Sequence, residues 1–189
     1  MADHPPFESP ITGSYPRAAA DHPLVLADES SVTKLLIRAD DDSPAARHLG
    51  VGFGASRLTD TGVLISGQRP TEWLLVGDAA AVAEAAAGID RDGHVSLVDH
   101  THSRAMLRLT GDDGPKLLEK VNNLDWSDPM TPNGAVVSAS VARVTCDIIR
   151  RDTNGTRSYR LACDRSFAQY LLDALLEAGR EFDIAAAVL

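Results

Sequence analysis

Cysteine is almost missing: Cys146 and Cys163 are the only two in 189 residues. Two thiols cannot build a disulfide scaffold or a four-thiolate zinc site, and they suit a reducing compartment in which both are buried as small hydrophobes. Positive charge is also scarce. With 18 Lys and Arg against 27 Asp and Glu the formal net charge is -9, so a phosphate backbone, whose binding rests on counterion release by clustered cations, is not an expected partner. The densest basic run is the pair Arg150-Arg151, which reads as a strand end turning into solvent. Long apolar runs are absent, and Met1-Ala2-Asp3-His4-Pro5-Pro6 carries neither a basic region nor an apolar stretch. No membrane span and no secretory signal are therefore expected, and the expected location is cytoplasmic. Asn154-Gly155-Thr156 fits the glycosylation pattern, but without a secretory signal it reads as a hairpin turn.

What is present is ordinary globular composition, 44% hydrophobic and 24% charged, enough for one substantial core or two small subdomains sharing an interface. Residues 1–31 hold half of the prolines (Pro5, Pro6, Pro10, Pro16, Pro23) and few large apolar side chains. They read as a flexible proline-rich arm, disordered or extended along a partner. From residue 32 the pattern becomes regular. A strand is predicted over 33–38, a short helix entered at Ser43-Pro44, one or two strands over 56–66, a strand over 72–76, a helix capped by Asp78, and a strand over 95–98. The second half repeats the order: a strand over 105–110, a helix carrying Leu117, Leu118 and Val121, a long polar connection over 122–133, strands over 135–142, 143–150 and 158–163, and a helix capped by Asp164. In that last helix Phe167, Tyr170, Leu171, Ala174, Leu175 and Ala178 follow the spacing of a buried stripe.

Leu35-Leu36-Ile37-Arg38-Ala39-Asp40-Asp41-Asp42-Ser43-Pro44 parallels Leu107-Arg108-Leu109-Thr110-Gly111-Asp112-Asp113-Gly114-Pro115, and Trp73-Leu74-Leu75-Val76-Gly77-Asp78 parallels Tyr159-Arg160-Leu161-Ala162-Cys163-Asp164. One unit is used twice. The expected class is α+β, with two similar halves, 32–98 and 99–189, each an antiparallel sheet covered by helices and both packed as one compact unit.

Chemistry is harder to find. His94, His100 and His102 lie close in sequence, but closing a zinc shell needs further ligands that the distant cysteines do not offer, so hydrogen-bonding histidines are the better reading. Gly50-Val51-Gly52-Phe53-Gly54 lacks the preceding strand and long following helix of a dinucleotide loop. There is no Gly-x-Ser-x-Gly, and Cys146 and Asp147, adjacent on a strand, point to opposite faces and cannot cooperate. The acidic residues at 40–42, 112–113, 125 and 128 sit where helix caps explain them. Trp126 stands between Asp125, Ser127 and Asp128, a polar setting that suits a partner anchor; the alternative is that it folds back over its own sheet. A partner surface is accordingly expected at Asp99, His100, His102 and Trp126.

Three phrases carry a resemblance: Val98-Asp99-His100-Thr101-His102-Ser103 leading to Leu107-Arg108-Leu109-Thr110-Gly111, then Asn123-Leu124-Asp125; Arg69-Pro70-Thr71-Glu72-Trp73-Leu74-Leu75; and Asp164-Arg165-Ser166-Phe167-Ala168-Gln169-Tyr170-Leu171 through Glu181-Phe182. Over about 33–183 the chain resembles the aminomethyltransferase-like fold of the glycine cleavage T-protein and, in the last two phrases, the gamma subunit of heterotetrameric sarcosine oxidase. That resemblance implies a complex that demethylates a methylated amine oxidatively and passes the carbon to tetrahydrofolate. Its large alpha-type subunit would hold NAD and folate, a beta-type subunit the flavins FAD and FMN, and a small delta-type subunit zinc. The gamma-like chain would bring no cofactor and no catalytic residue and would buttress the folate domain. The folate-dependent transferases place an acidic pair on the strand that here reads Arg143-Val144-Thr145-Cys146-Asp147-Ile148-Ile149-Arg150. Thr145 and Cys146 fall at those positions, and Asp147 would replace them only after a slip that turns it to the other face. A free-standing folate-binding or aminomethyltransferase-like protein is the alternative.

Overall fold

A computed structural model describes residues 6–13, 15 and 22–188, and its first strand lies where the sequence reading placed an arm. Leu24 and Leu26 are fully buried, and β1 (Leu24–Asp28) runs inside a sheet. Then come β2 (Thr33–Arg38), α1 (Pro44–Leu49), β3 (Ser56–Leu58), β4 (Leu64–Arg69), β5 (Glu72–Gly77), α2 (Ala79–Ala87) and β6 (Ser96–Asp99). The second half holds β7 (Arg104–Thr110), α3 (Gly114–Val121), β8 (Val136–Val141), β9 (Val144–Arg150), β10 (Ser158–Asp164), α4 (Ala168–Ala178) and β11 (Ile184–Val188).

The repeat is visible in both order and pairing. Strand, helix, three strands, helix occurs twice, and the sheet orders β3-β4-β5-β2 and β8-β9-β10-β7 correspond strand for strand. Local chemistry explains the shared junctions. Ser43 accepts a bond from the Ala46 amide at 3.1 Å with Pro44 in the first turn, and Asp78 accepts from the Ala80 amide at 2.9 Å; each satisfies an orphan donor at a helix start. The halves differ beside β2 and β7. The place next to β2 is taken by β6, antiparallel, whereas β1 enters next to β7 and leaves β11 outside it as a parallel edge. Gly111 permits this insertion: at φ 144° it lets the Pro23 carbonyl come so near that an added Cβ would lie 2.2 Å from that oxygen.

Strand alternation sorts the side chains into three apolar layers. Ile37, Ile65, Trp73 and Leu75 pack against Ala45, Leu49 and Val82 of the first helix pair. Leu107, Leu109, Ile148 and Leu161 pack against Leu117, Leu118, Leu171 and Leu175 of the second. Between the sheets, Leu36, Leu64, Leu74 and Val76 meet Met106, Val136, Ile149 and Ala162. The order is thus helices, sheet, sheet, helices. Along one margin the sheets are joined by backbone: Ser56 N–H donates to Gly134 O at 2.7 Å and Val136 N–H to Gly54 O at 2.8 Å.

Four expectations are corrected. The arm does not reach residue 31, since β1 is structural, and its described part lies on α4: Ile11 is buried in the helix-side core, Thr12 N–H donates to Gln169 Oε1 at 2.9 Å and Tyr15 O–H to Asp173 at 2.7 Å. The expectation for residues 1–5, 14 and 16–21 lies outside the described residues. In the last helix Asp164 is followed by a 3-10 turn over Arg165–Phe167 without a side-chain cap. That turn changes the phase, so Phe167 and Tyr170 are exposed, while α4 buries Ala168, Leu171, Leu172 and Leu175.

The third correction concerns Trp126. Its side chain is only 1% exposed and stands edge-on to Tyr159, ring centres 5.7 Å apart. The polar neighbours that suggested a surface are the tether that folds the loop inward. Arg150, not turned into solvent but buried over the Tyr159 ring, donates to Asp128 and to Thr131 O, both at 2.6 Å, and pairs with Asp152 at 3.0 Å. Trp126 is therefore a core residue, not a partner contact. Trp126→Ala is expected to cost about 3–5 kcal/mol of unfolding free energy, measured by urea titration; a loss below about 1 kcal/mol would contradict this packing.

Candidate functional site

Which strand residues face the other sheet follows from the apolar ones that do. Leu36, Leu74, Met106 and Ile149 lie between the sheets, so Lys34 and Arg38, Glu72, Arg104 and Arg108, and Asp147 share that face by the two-residue period. The middle of the interface is apolar and its surroundings are ionic.

Two polar clusters result. In one, Glu29 is buried between Arg108 at 3.1 Å and Arg160 at 2.7 Å. Beside it Lys34 is fully buried, its Nζ donating to Ser30 O and Val32 O, each at 2.8 Å, and burial draws its pKa down to about 8. The other cluster lines a groove of about 320 Å³ bordered by Arg38, Gln68, Arg69, Glu72, His100 and Arg104. A chain of ion pairs crosses it: Arg38 to Glu72 at 2.8 Å, Arg69 to Glu72 at 3.3 Å and to Asp147 at 3.5 Å, and Arg104 to Asp147 at 3.0 Å. Ser138 also donates its hydroxyl to Asp147. His100 has its pKa lowered, first by burial and then by Arg104 and Arg38. Gln68 donates from Nε2 to Ser66 Oγ at 2.8 Å, while its Oε1 is buried without a partner.

The residues expected at a partner surface separate. His100 enters the groove, its amide donating to Lys34 O at 2.8 Å. Asp99 is exposed and accepts from the Thr101 amide at 2.7 Å, and His102 is exposed with its ring centre 5.6 Å from that of Phe7. Trp126 belongs to the core on the helix side of the second sheet and does not join them. Sequence reasoning missed Arg38, Gln68, Arg69, Glu72 and Arg104. They sit near the ends of apolar runs, where any strand carries polar residues, and only the pairing of β2 and β4 with β5 and the packing of the two sheets face to face show that they converge.

The β9 positions singled out by the resemblance can be read directly. β9 pairs with β8 without a register shift from Val144 to Ile149. Thr145 is exposed near the hairpin, and Cys146 is buried toward α3 and α4, its thiol pushed up to about 12 by burial. Asp147 lies beside the groove, held in two ion pairs and a hydroxyl bond. Neither Thr145 nor Cys146 bears a carboxyl group. Among the described residues no three His, Cys, Asp or Glu side chains gather as metal ligands, and no helix is long and apolar enough to cross a membrane.

Two measurements follow. Cys163 lies in the same layer, pushed up to about 11 by burial, so both thiols should resist a thiol reagent until the chain unfolds; fast native labelling of Cys146 would contradict its burial. Lys34 gives a pH signature. Its folded value of about 8 lies below its ordinary 10.5, so the folded chain gives up this proton first, and the associated stability grows from about pH 8 and is complete above about 10.5. The buried thiols act oppositely above their ordinary value near 9, so the lysine is isolated by difference. The unfolding free energy of the unsubstituted chain minus that of Lys34→Met should rise from pH 8 to 10.5, and a flat difference would place Nζ in water.

Comparison with known proteins adds to this geometry. The profile of the GCVT N-terminal domain family matches residues 61–189. A search of curated proteins gives no match. Among solved structures, a chain of heterotetrameric sarcosine oxidase from Corynebacterium sp. U-96, in complex with pyrrole 2-carboxylate, superposes with a TM-score of 0.74 at 20% identity, covering 89% of this chain and 90% of that one. Glycine cleavage system aminomethyltransferase T from Bartonella henselae superposes with a TM-score of 0.62 at 16% identity, over 87% of this chain and 47% of that one. The α+β architecture with two antiparallel-sheet halves is thus the aminomethyltransferase-like fold, and this chain spans about half the length of the transferase.

Proposed function

We propose, from the premise that this chain belongs to the GCVT N-terminal domain family, that it is a non-catalytic, gamma-type subunit of a heterotetrameric amine-oxidising complex. The observation that carries this reading is the superposition: the TM-score is 0.74 on one chain of a heterotetrameric sarcosine oxidase and 0.62 on an aminomethyltransferase. The chemistry agrees: on the register that the resemblance implies, Thr145 and Cys146 stand where the transferases carry their acids, and the nearby Asp147 is held by Arg69 and Arg104. The complex would oxidise a methylated amine and transfer the released carbon to tetrahydrofolate.

In such an assembly folate and NAD belong to a large alpha-type subunit, the flavins FAD and FMN to a beta-type subunit and zinc to a small delta-type subunit, in a cytoplasmic complex. This chain's part is mechanical: its three apolar layers form a stiff block against which a folate-binding domain can be held. Phe53 and Met130, each 65% exposed, supply apolar area beside the margin where the sheets join, and an assembly would cover it.

The test is co-expression with the candidate partner subunits followed by size exclusion. The expected result is one copy of this chain eluting with the large subunit, flavin absorbance confined to fractions that contain the beta-type subunit, and a colourless product when this chain is purified alone. Tetrahydrofolate-dependent one-carbon transfer by the chain alone would overturn the proposal and favour a free-standing transferase.

A further inference from the structure

We infer that the turn between β8 and β9 is a docking point, at which Arg143 binds a carboxylate of a partner chain while the exposed rings of Tyr170 and Phe167 take an aliphatic side chain beside it. This rests on the proposed assembly and names the surface through which this chain enters it.

The turn is held in a conformation that its residues do not favour. Val141 pairs with Val144, and the two residues between them, Ala142 and Arg143, have positive φ of 46° and 71°. There a Cβ crowds the backbone, and Gly and Asn are accommodated far more readily. The next hairpin is the contrast. Its left-handed pair is Asn154-Gly155, at 52° and 81°, closed by Thr153 and Thr156 bonding each other in both directions at 2.9 Å, and these are the residues such a turn calls for. At Ala142 the surroundings impose the strain. Its N–H donates to Val121 O at the end of α3, at 2.9 Å, and its carbonyl accepts from the Tyr170 hydroxyl at 3.0 Å. Backbone strain over-determined by its neighbours in this way points to a side chain that is being aimed.

Arg143 is that side chain. It is exposed, and among the described residues its guanidinium has no ion-pair or hydrogen-bond partner, whereas Arg104 and Arg150 are each held by two carboxylates. An open guanidinium fork complements a carboxylate, and a rigid support lowers the ordering cost of binding one. A phosphate backbone is opposed by the net charge of -9. Tyr170 and Phe167, 51% and 48% exposed, are three residues apart at the start of α4 and so share a face. Arginine beside aromatic rings is the composition of a protein interface rather than of a free-anion site. Met130 and Phe53 stand by the opposite end of β8, about 17 Å away along the strand, so one interface of ordinary size, about 800 Å² a side, reaches both.

The test is competition for a place in the complex. The candidate partner subunits, one of them tagged, are co-expressed with equal amounts of the unsubstituted chain and one variant, and mass spectrometry reads the ratio of the two in the purified complex. The double substitution Ala142→Asn with Arg143→Gly is expected to be under-represented by about tenfold or more, as for a truncated anchor. Alone, that variant should melt about 2–4 °C higher than the unsubstituted chain, because the turn is relieved of strain. Arg91→Ala, which removes another exposed arginine, is expected to enter the complex equally. Failure of the unsubstituted chain to enter any complex overturns the assembly reading and this inference together. Equal entry of the unsubstituted and doubly substituted chains leaves the assembly standing and overturns this inference alone, as does an equal loss with Arg91→Ala. A double variant that melts no higher than the unsubstituted chain also overturns it, since the turn then holds no strain for Arg143 to explain.

Discussion

Each sheet in this chain has two faces to remove from water, and a pair of short helices covers only one of them. The remaining faces find each other. Leu36, Leu64, Leu74 and Val76 close on Met106, Val136, Ile149 and Ala162, and at roughly 1.5–3 kcal/mol for each large aliphatic side chain taken from water this contact outweighs any surface ion pair in the structure. Its size also sets its limit. Beyond the apolar patch the same strand faces carry Lys34, Arg38, Glu72, Arg104, Arg108 and Asp147, which must be paired or solvated. The ionic groove and the buried Glu29 cluster are thus the border of the sheet-to-sheet contact, formed where the supply of apolar residues on the facing strands ends.

The same contact explains why the N-terminal strand crosses between the halves. β1 occupies the place beside β7 that, by the symmetry of the repeat, corresponds to the place of β6 beside β2. From there the chain passes through Glu29 and Ser30, both buried, into β2 of the other sheet. Ser30 bonds the backbone of Met106, donating to its carbonyl at 3.5 Å and accepting from its amide at 3.1 Å. The crossing lies against the interface, and it binds the halves covalently where they already pack. Separation would strip β1 from its sheet as well as expose the apolar face, so the repeat behaves as a single cooperative unit.

Much of this was legible because it is local. Ser43-Pro44 and Asp78 announce helix starts through the hydrogen bonds they make, and the parallel phrases around Trp73 and Tyr159 mark equivalent strands whose large side chains are both buried on the helix side. What escaped was set by pairing between distant segments. Leu24–Asp28 sits in a proline-rich context that argues against a strand, and its burial depends on β7 and β11, more than 75 residues away. Trp126 is polar in its sequence neighbourhood and apolar in its spatial one, because Arg150 gathers Asp128 and Thr131 around the loop and leaves the indole to face Tyr159. Phe167 and Tyr170 lost their place in the stripe to a single 3-10 turn.

The groove was illegible for a stricter reason. A strand shows in its sequence which residues alternate, but not which of the two faces meets another sheet, and here both faces of both sheets are largely apolar. Cys146 and Asp147 illustrate the consequence. Adjacent in sequence, they stand in different layers, the thiol among α3 and α4 and the carboxylate among arginines from β4 and β7. A carboxyl group placed one residue earlier would point into the helix-side core, where desolvation would neutralise it. The register of β9 therefore decides both that Cys146 is buried on the helix side and that the Asp147 carboxylate is engaged in holding the sheets together.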